Sequence, residues 1–154
     1  MATLRPPRCT DIEVSFPAPH VMLVTLARPK AMNSLLHAQH WQLEALWKWF
    51  DDEPSLRAAV ITGQGPKAFC AGSDLLELDH VQDTKDRDVS ESKPWEHAHP
   101  PSGFAGVSRR RGKKPIVAAV NGLALGGGFE IVLNWYGALI RSFIFFLFHN
   151  NFHR

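Results

Sequence analysis

The chain is poor in cysteine, with only Cys9 and Cys70, and it holds one tyrosine and three methionines. The two cysteines stand far apart and in no C-x-x-C or metal-ligand spacing, which excludes a disulfide framework and a cysteine-based metal site and fits a reducing compartment. The N-terminus lacks the apolar segment of a secretory signal. Met1 to Arg8 carries two arginines and no acid, but it is too short and proline-rich for a mitochondrial presequence, so cytosol, mitochondrion and peroxisome stay open. No run of residues is long and apolar enough to cross a bilayer. Charge of one sign is also lacking: 17 Lys and Arg face 15 Asp and Glu, for a net +2 with histidine neutral. Nothing in that balance calls for nucleic acid or an anionic membrane as partner. The local basic run Arg109-Arg110-Arg111-Gly112-Lys113-Lys114 has no interleaved aromatics, as a nucleic-acid surface would need. It reads as a solvated loop, with contact to a phosphate-bearing ligand as the alternative.

What is present is an ordinary domain-forming composition, 45% hydrophobic and 21% charged over 154 residues, enough for one core. Asp11 to Phe16 and His20 to Ala27 are β-rich runs joined by Pro17-Ala18-Pro19, and predict an antiparallel pair. Arg28-Pro29-Lys30 ends the second. Asn33 or Ser34 is placed to cap a helix of about four turns on which Leu36, Leu43, Leu46, Trp47 and Phe50 share one face. Asp51-Asp52-Glu53-Pro54 stops it. Ala58-Ala59-Val60-Ile61 then has the short apolar character of a strand covered on both faces. Glu77 to Pro101 is acidic, histidine-bearing and aperiodic, and predicts a mobile loop around a short helix. A helix from Gly103 to Val107 and a strand from Pro115 to Val120 follow. Strands alternating with helices imply a mainly parallel α/β sheet, with sites at the carboxyl ends of its strands.

Two glycine turns sit at such ends. Ala71-Gly72-Ser73-Asp74-Leu75 follows one apolar run and opens into Leu75-Leu76-Glu77-Leu78. Gly126-Gly127-Gly128-Phe129-Glu130 follows another and opens into Phe129 to Leu133. Unpaired amides at a helix start bind negative oxygen, helped by the helix dipole. Aimed at one point, two such turns would make an oxyanion hole. Gly122 to Gly128 is neither G-x-G-x-x-G nor a P-loop, and Ser73 has no G-x-S-x-G elbow, so dinucleotide binding and serine-nucleophile chemistry are disfavoured. His37 and His40, one helical turn apart, and His97 and His99, in the loop, read as surface histidines rather than metal ligands.

Four segments in register carry a family likeness: Arg28 to Leu35 (Arg-Pro-Lys-Ala-Met-Asn-Ser-Leu), Lys67 to Leu75 (Lys-Ala-Phe-Cys-Ala-Gly-Ser-Asp-Leu), Lys114 to Gly122, and Gly126 to Glu130. In these the chain resembles the enoyl-CoA hydratase/isomerase, or crotonase, family from about Asp11 to Asn134. The resemblance implies a crotonase-like spiral of ββα units, of which an N-terminal part is present. It implies that the amides of Ser73 and Gly127 hold the thioester oxygen of an acyl-CoA, and that Ala71, Gly72, Ser73, Asp74 and Leu75 border the CoA arm, with Ala71 facing the adenine. Lys30 would lie near the CoA phosphates, and Glu130 matches the first of two hydratase carboxylates. No separate cofactor or metal is implied, because coenzyme A is part of the substrate.

The likeness ends at Asn134. Residues 1–10 form an N-terminal extension, 11–134 a partial crotonase-like domain, and 135–154 a tail that does not match. By family spacing a second carboxylate belongs near Asn150, yet no acid follows Glu130. Phe143 to Phe148 has the character of an aggregation segment, with a buried closing strand as the alternative reading of this stretch. We expect a truncated product whose last twenty residues are unrelated translation, unable to build the trimer usual in the family. Two functions are therefore carried: hydration or double-bond isomerisation of an enoyl-CoA through a stabilised enolate, in fatty-acid breakdown or specialised metabolism, or an inactive CoA-binding remnant.

Overall fold

The computed structural model describes residues 4–77 and 99–133, and the backbone of 138–140. The expected loop between Glu77 and Pro101 and the Phe143 to Phe148 segment lie almost wholly outside the described residues. Strand β1 (Ile12–Ala18) pairs antiparallel with β2 (Val21–Leu26), and the pairing runs through Pro17 and Ala18 to a tight turn at Pro19-His20. The connection is shorter than expected because a register shift between Ser15 and Ala18 absorbs Pro17 at a sheet edge, where no ladder N–H is required of it.

Helix α1 (His37–Asp52) follows, then β3 (Ala58–Gly63), the short β4 (Ala68–Cys70), β5 (Ile116–Val120), β6 (Leu123–Ala124), helix α2 (Gly127–Leu133) and β7 (Ala138–Ile140). One sheet has the order β1-β2-β3-β5-β7, parallel from β2 onward, and β4 with β6 forms a second, two-stranded parallel sheet. Three residues of the expected unrelated tail thus extend the main sheet, with Ala138 opposite Ala118 and Ile140 opposite Val120.

Residues alternate along the strands. Met22, Val24 and Leu26, Ala59 and Ile61, and Ile116, Ala118 and Val120 are buried, while the residues between them are half-buried. That pattern corrects the expectation for β3, which is fully covered on one face only. The same core takes in Leu43, Leu46, Trp47 and Phe50 of α1, and each such side chain contributes about 1.5–3 kcal/mol by leaving water. The indole N–H of Trp47 donates to the Ala105 carbonyl at 3.0 Å, so this large buried ring leaves no polar atom unpaired. Residues ahead of β1 are tied down as well: Leu4 and Cys9 pack on the core, and Thr10 exchanges hydrogen bonds with Gln39 and Gln42.

Two helix expectations are corrected. Helix α1 starts at His37 with Leu36 as its cap residue, whose N–H is taken by the Gln39 side chain at 2.8 Å. Asn33 and Ser34 do not cap it, because their side chains are committed elsewhere: Asn33 Nδ2 donates to Gln64 and Ala68 carbonyls, and Ser34 Oγ donates to Asp74. The stretch from Gly103 forms only a 3-10 turn, Phe104–Gly106. Gly103, Ala105 and Gly106 all have positive φ there, which no continuing right-handed helix allows.

Candidate active site

The first turn leaves β4 and is clamped by the segment that precedes α1. Ala71 N–H donates to the Met32 carbonyl, Leu35 N–H to Gly72, and Asp74 N–H back to Leu35, at 3.0, 2.8 and 3.0 Å. This is a parallel bridge between Leu35 and Ser73. Because peptide groups alternate in direction along an extended chain, a bridge made through Gly72 C=O and Asp74 N–H points the Ser73 N–H away from Leu35. Gly72 has φ +96°, a conformation that favours glycine.

The second turn is hung from the first. Leu125 N–H donates to the Cys70 carbonyl at 3.0 Å, and the chain then turns at Gly126 into α2, where Gly128, Phe129 and Glu130 donate to Leu125 and Gly126 carbonyls. A Cβ on Gly72 would sit 3.1 Å from Leu125 O and 3.4 Å from Gly127 N, so the two turns are in contact. A Cβ on Gly127 would overlap the Phe104 ring, and one on Gly128 the Cys70 carbonyl. Among the backbone hydrogen bonds of the described residues, neither Ser73 nor Gly127 is a donor. Two adjacent turns therefore each hold out one amide, the second at the positive end of a helix.

The positions expected from sequence divide into three groups. Ala71, Gly72, Ser73 and Gly127 come together, with Glu130 one helical turn beyond Gly127 and exposed. Lys30 is exposed on the 3-10 turn Pro29–Ala31, two residues before the Met32 carbonyl that holds Ala71. Leu75 is 73% exposed at the start of the helical residues that follow the turn. The Asp74 carboxylate points inward instead. It pairs with Arg28 at 2.8 Å, accepts from Ser34 Oγ at 3.1 Å, and takes the N–H groups of Leu76 and Glu77. Burial pushes this carboxyl up, but Arg28, the Glu77 amide and Ser34 together outweigh it and hold it below the usual carboxylate range. Residue 74 thus offers the site a rigid turn rather than a free charge.

Several supporting residues escaped the sequence reading. Asn33 and Asn121 brace the loop before β4: the amide of Asn121 accepts from Gly63 N–H at 3.0 Å and donates to Gly65 O at 2.6 Å. Both lie inside the quoted segments; Asn33 itself has φ +56°, and asparagine's tolerance of that left-handed conformation is the signal that could have marked it as a turn residue rather than a helix cap. The histidines are not all on the surface. His40 is 2% exposed, accepts the Ala105 N–H on Nδ1 at 3.0 Å, and meets the Phe104 and His99 rings edge-on at 4.5 and 4.7 Å between centroids. Burial, helped by His99 and His37, lowers it to about 3, so it is neutral. The basic run is the expected solvated loop at Arg109, Arg111 and Lys113, which are exposed, while two of its members are tied to α1. Arg110 pairs with Asp51, while Lys114 Nζ donates to the Phe50 and Glu53 carbonyls at the end of α1. Cys70, wholly buried beneath the first turn, is pushed up to about 12 by that burial and stays a thiol.

The arrangement can stabilise an oxygen that gains negative charge between the turns, next to one carboxylate. Among the described residues no group of three or more His, Cys, Asp or Glu is placed to hold a metal ion, and no helix is long and apolar enough to cross a membrane. Comparison with known proteins gives the family and the fold. The enoyl-CoA hydratase/isomerase family profile matches residues 18–134. Mevalonyl-coenzyme A hydratase of Beauveria bassiana is 52% identical over 131 residues, 85% of this chain and 46% of that protein. The protein of the same name from Aspergillus fumigatus is 46% identical over 87% of this chain and 46% of its own length. In three dimensions the chain is similar to carnitinyl-CoA hydratase from Mycobacterium avium, at a TM-score of 0.68 and 32% identity, covering 84% of this chain and 46% of the other. The fold is crotonase-like, and the chain spans just under half the length of the curated relatives it matches.

Proposed function

The chain belongs to the enoyl-CoA hydratase/isomerase family, and on that premise we propose that its site serves reversible hydration of an enoyl-CoA, with a mevalonyl-type acyl group as the substrate to test first. The observation that carries this reading is the contact between two turns in which, among the described residues, the Ser73 and Gly127 amides donate to no backbone carbonyl, with Glu130 one helical turn beyond Gly127. In hydration, the water oxygen bonds to C3 of the conjugated double bond while electron density moves onto the thioester oxygen. Proton delivery to C2 then restores the carbonyl. The intermediate enolate is the species two preorganised amides favour, and losing one such donor costs ~10²–10³ in rate. In this reading Glu130 takes the proton from water as the new C–O bond forms and passes that proton on to C2, and the reverse reaction runs the same transfer backwards. The Beauveria and Aspergillus relatives are named for mevalonyl-CoA, which supports a hydroxylated, branched acyl group over a plain fatty chain.

The test follows the ultraviolet absorbance of an enoyl thioester, mevalonyl-derived and straight-chain side by side, with Glu130→Gln as control. Turnover that falls about 10²–10⁴-fold in Glu130→Gln supports the reading. Equal rates in both proteins, or none in either, would leave a CoA-binding remnant, which heat protection by CoA then measures.

A further inference from the structure

The turn Phe104–Gly106 lies outside every segment that carries the family likeness, and its own sequence does not favour its shape. Ala105 holds φ +54°, a conformation that a residue with a side chain rarely adopts. Three residues of α1 keep it there. His40 Nδ1 accepts the Ala105 N–H and the Trp47 indole N–H donates to the Ala105 carbonyl, each at 3.0 Å. Gly106 lies so close to Glu44 that a Cβ would stand 2.6 Å from its backbone. His40, Glu44 and Trp47 follow one another at i, i+4 and i+7, so one stripe of α1 grips the turn and takes both hydrogen-bonding groups of its central residue.

That grip sets the place of the Phe104 ring. The Phe104 N–H donates to Ser108 Oγ at 2.8 Å, the ring meets the His40 ring edge-on at 4.5 Å, and it lies against Gly127, where a Cβ would overlap it. The first glycine turn stands against the same residue, the Cβ position of Gly72 being 3.4 Å from Gly127 N. Gly126 adds no packing of its own: it has φ +50°, and its Cβ position meets nothing within 4 Å. The Gly127 N–H shares its peptide with the Gly126 carbonyl, which accepts from Phe129 and Glu130, so this amide moves with the first turn of α2 as one piece. Three glycines in a row leave that piece wide conformational freedom, and the Phe104 ring closes off one direction of it.

We infer that Phe104 is a positioning residue for the Gly127 amide, a wedge seated by α1 that fixes the second glycine turn against the first. The role rests on the proposed acyl-CoA site, because an oxygen shared by two amides needs their separation held. A displacement of about 1 Å at such a site costs up to roughly a hundredfold in rate. The first readout of the wedge needs no substrate.

Backbone amide relaxation of the full chain, labelled with ¹⁵N and ¹³C, reads the order at Gly127. Phe104→Leu, which shortens the wedge, lowers the Gly127 order parameter from about 0.85 toward 0.6, while Gly63, bonded to Asn121 in β3, keeps its value. Phe50→Leu, the same change at a wholly buried position near the end of α1, costs stability without moving Gly127. Should Phe104→Leu not fold, Phe104→Met, close in volume but flexible, gives the same loss of order. An unmoved Gly127 in the Phe104 variant, or an equal loss in Phe50→Leu, overturns the role. Lowered order at Gly127 in a protein without enoyl-CoA turnover upholds the wedge and defeats the proposed function. Where turnover is found, the Phe104 variant lowers kcat about tenfold with KM within about twofold, since the amide counts for more on the enolate than on the substrate carbonyl. An unchanged kcat, or a change confined to KM, overturns the positioning role.

Discussion

At the scale of single residues, the site depends on groups that never touch its opening. Asp74, itself buried, holds the first turn through Arg28, Ser34 and two backbone amides. Removing one member of a buried ion pair strands the other, at about 3–5 kcal/mol. Asp74→Asn should fall near the lower end, because the amide oxygen can keep the cap; urea unfolding measures it. The carboxyl is lowered in the folded state, so this stabilisation is full above the ordinary carboxylate pKa and disappears as pH falls through and below it. His40 behaves differently. Its folded value of about 3 lies beneath the ordinary 6.5, so between those values the unfolded chain binds a proton that the folded chain refuses. Stability is unaffected above pH 6.5 and declines as pH drops below it, by at most about 1.4 kcal/mol per unit. His40→Gln, which can still accept from Ala105 N–H, should flatten the unfolding free energy across that window while leaving the Asp74-dependent loss below it. An unchanged slope would contradict the buried, neutral assignment.

Among the elements, the end of α1 shows how members of a largely solvated charge run can be committed to structure. The last turn of α1 carries no basic residue of its own, and its terminal carbonyls need donors. Lys114 supplies them across the chain, its ammonium also lying 5.2 Å from the Phe50 ring centroid, while Arg110 and the amides of Lys113 and Lys114 converge on Asp51. Lys114→Met should cost about 1–2 kcal/mol in thermal or urea unfolding, the scale of charge-assisted bonds at a helix C-terminus, and should leave ligand binding unchanged. In sequence the six basic and glycine residues have no period, so nothing local shows that a helix end sixty residues earlier lies against them. The amphipathic face of α1 was legible for the opposite reason. Leu43, Leu46, Trp47 and Phe50 repeat at the helical interval and all four are buried, because burial follows from local geometry alone. The start of α1 was not, since Asn33 and Ser34 are good caps that tertiary partners claim first. The turn at Phe104 was misread for a similar reason. Gly106 has φ +65°, and a Cβ there would lie 2.6 Å from the Glu44 backbone, so close packing on α1 rather than helix propensity sets its shape.

For the whole molecule, the parallel sheet, its antiparallel first strand and the two glycine turns could be read from the order of apolar runs and punctuating glycines. The small second sheet could not. Strands of three and two residues, Ala68–Cys70 and Leu123–Ala124, are too short for any periodicity, yet their pairing is what carries Cys70 to Leu125 and so joins the turns. The histidine and Phe104 wall was equally hidden, because His40 and His99 are fifty-nine positions apart and meet only through the fold. The proposed hydration rests on one physical claim, that the Ser73 and Gly127 amides grip a thioester oxygen. Infrared difference spectroscopy on a bound, unreactive acyl-CoA carrying a ¹³C label at the thioester carbonyl reads that grip directly. Two amide donors should move the carbonyl stretch to lower frequency than in free solution, and Gly72→Ala, which places a methyl 3.4 Å from Gly127 N on a strained turn, should move it back. A stretch that stays at its solution frequency when the ligand is bound would contradict the account.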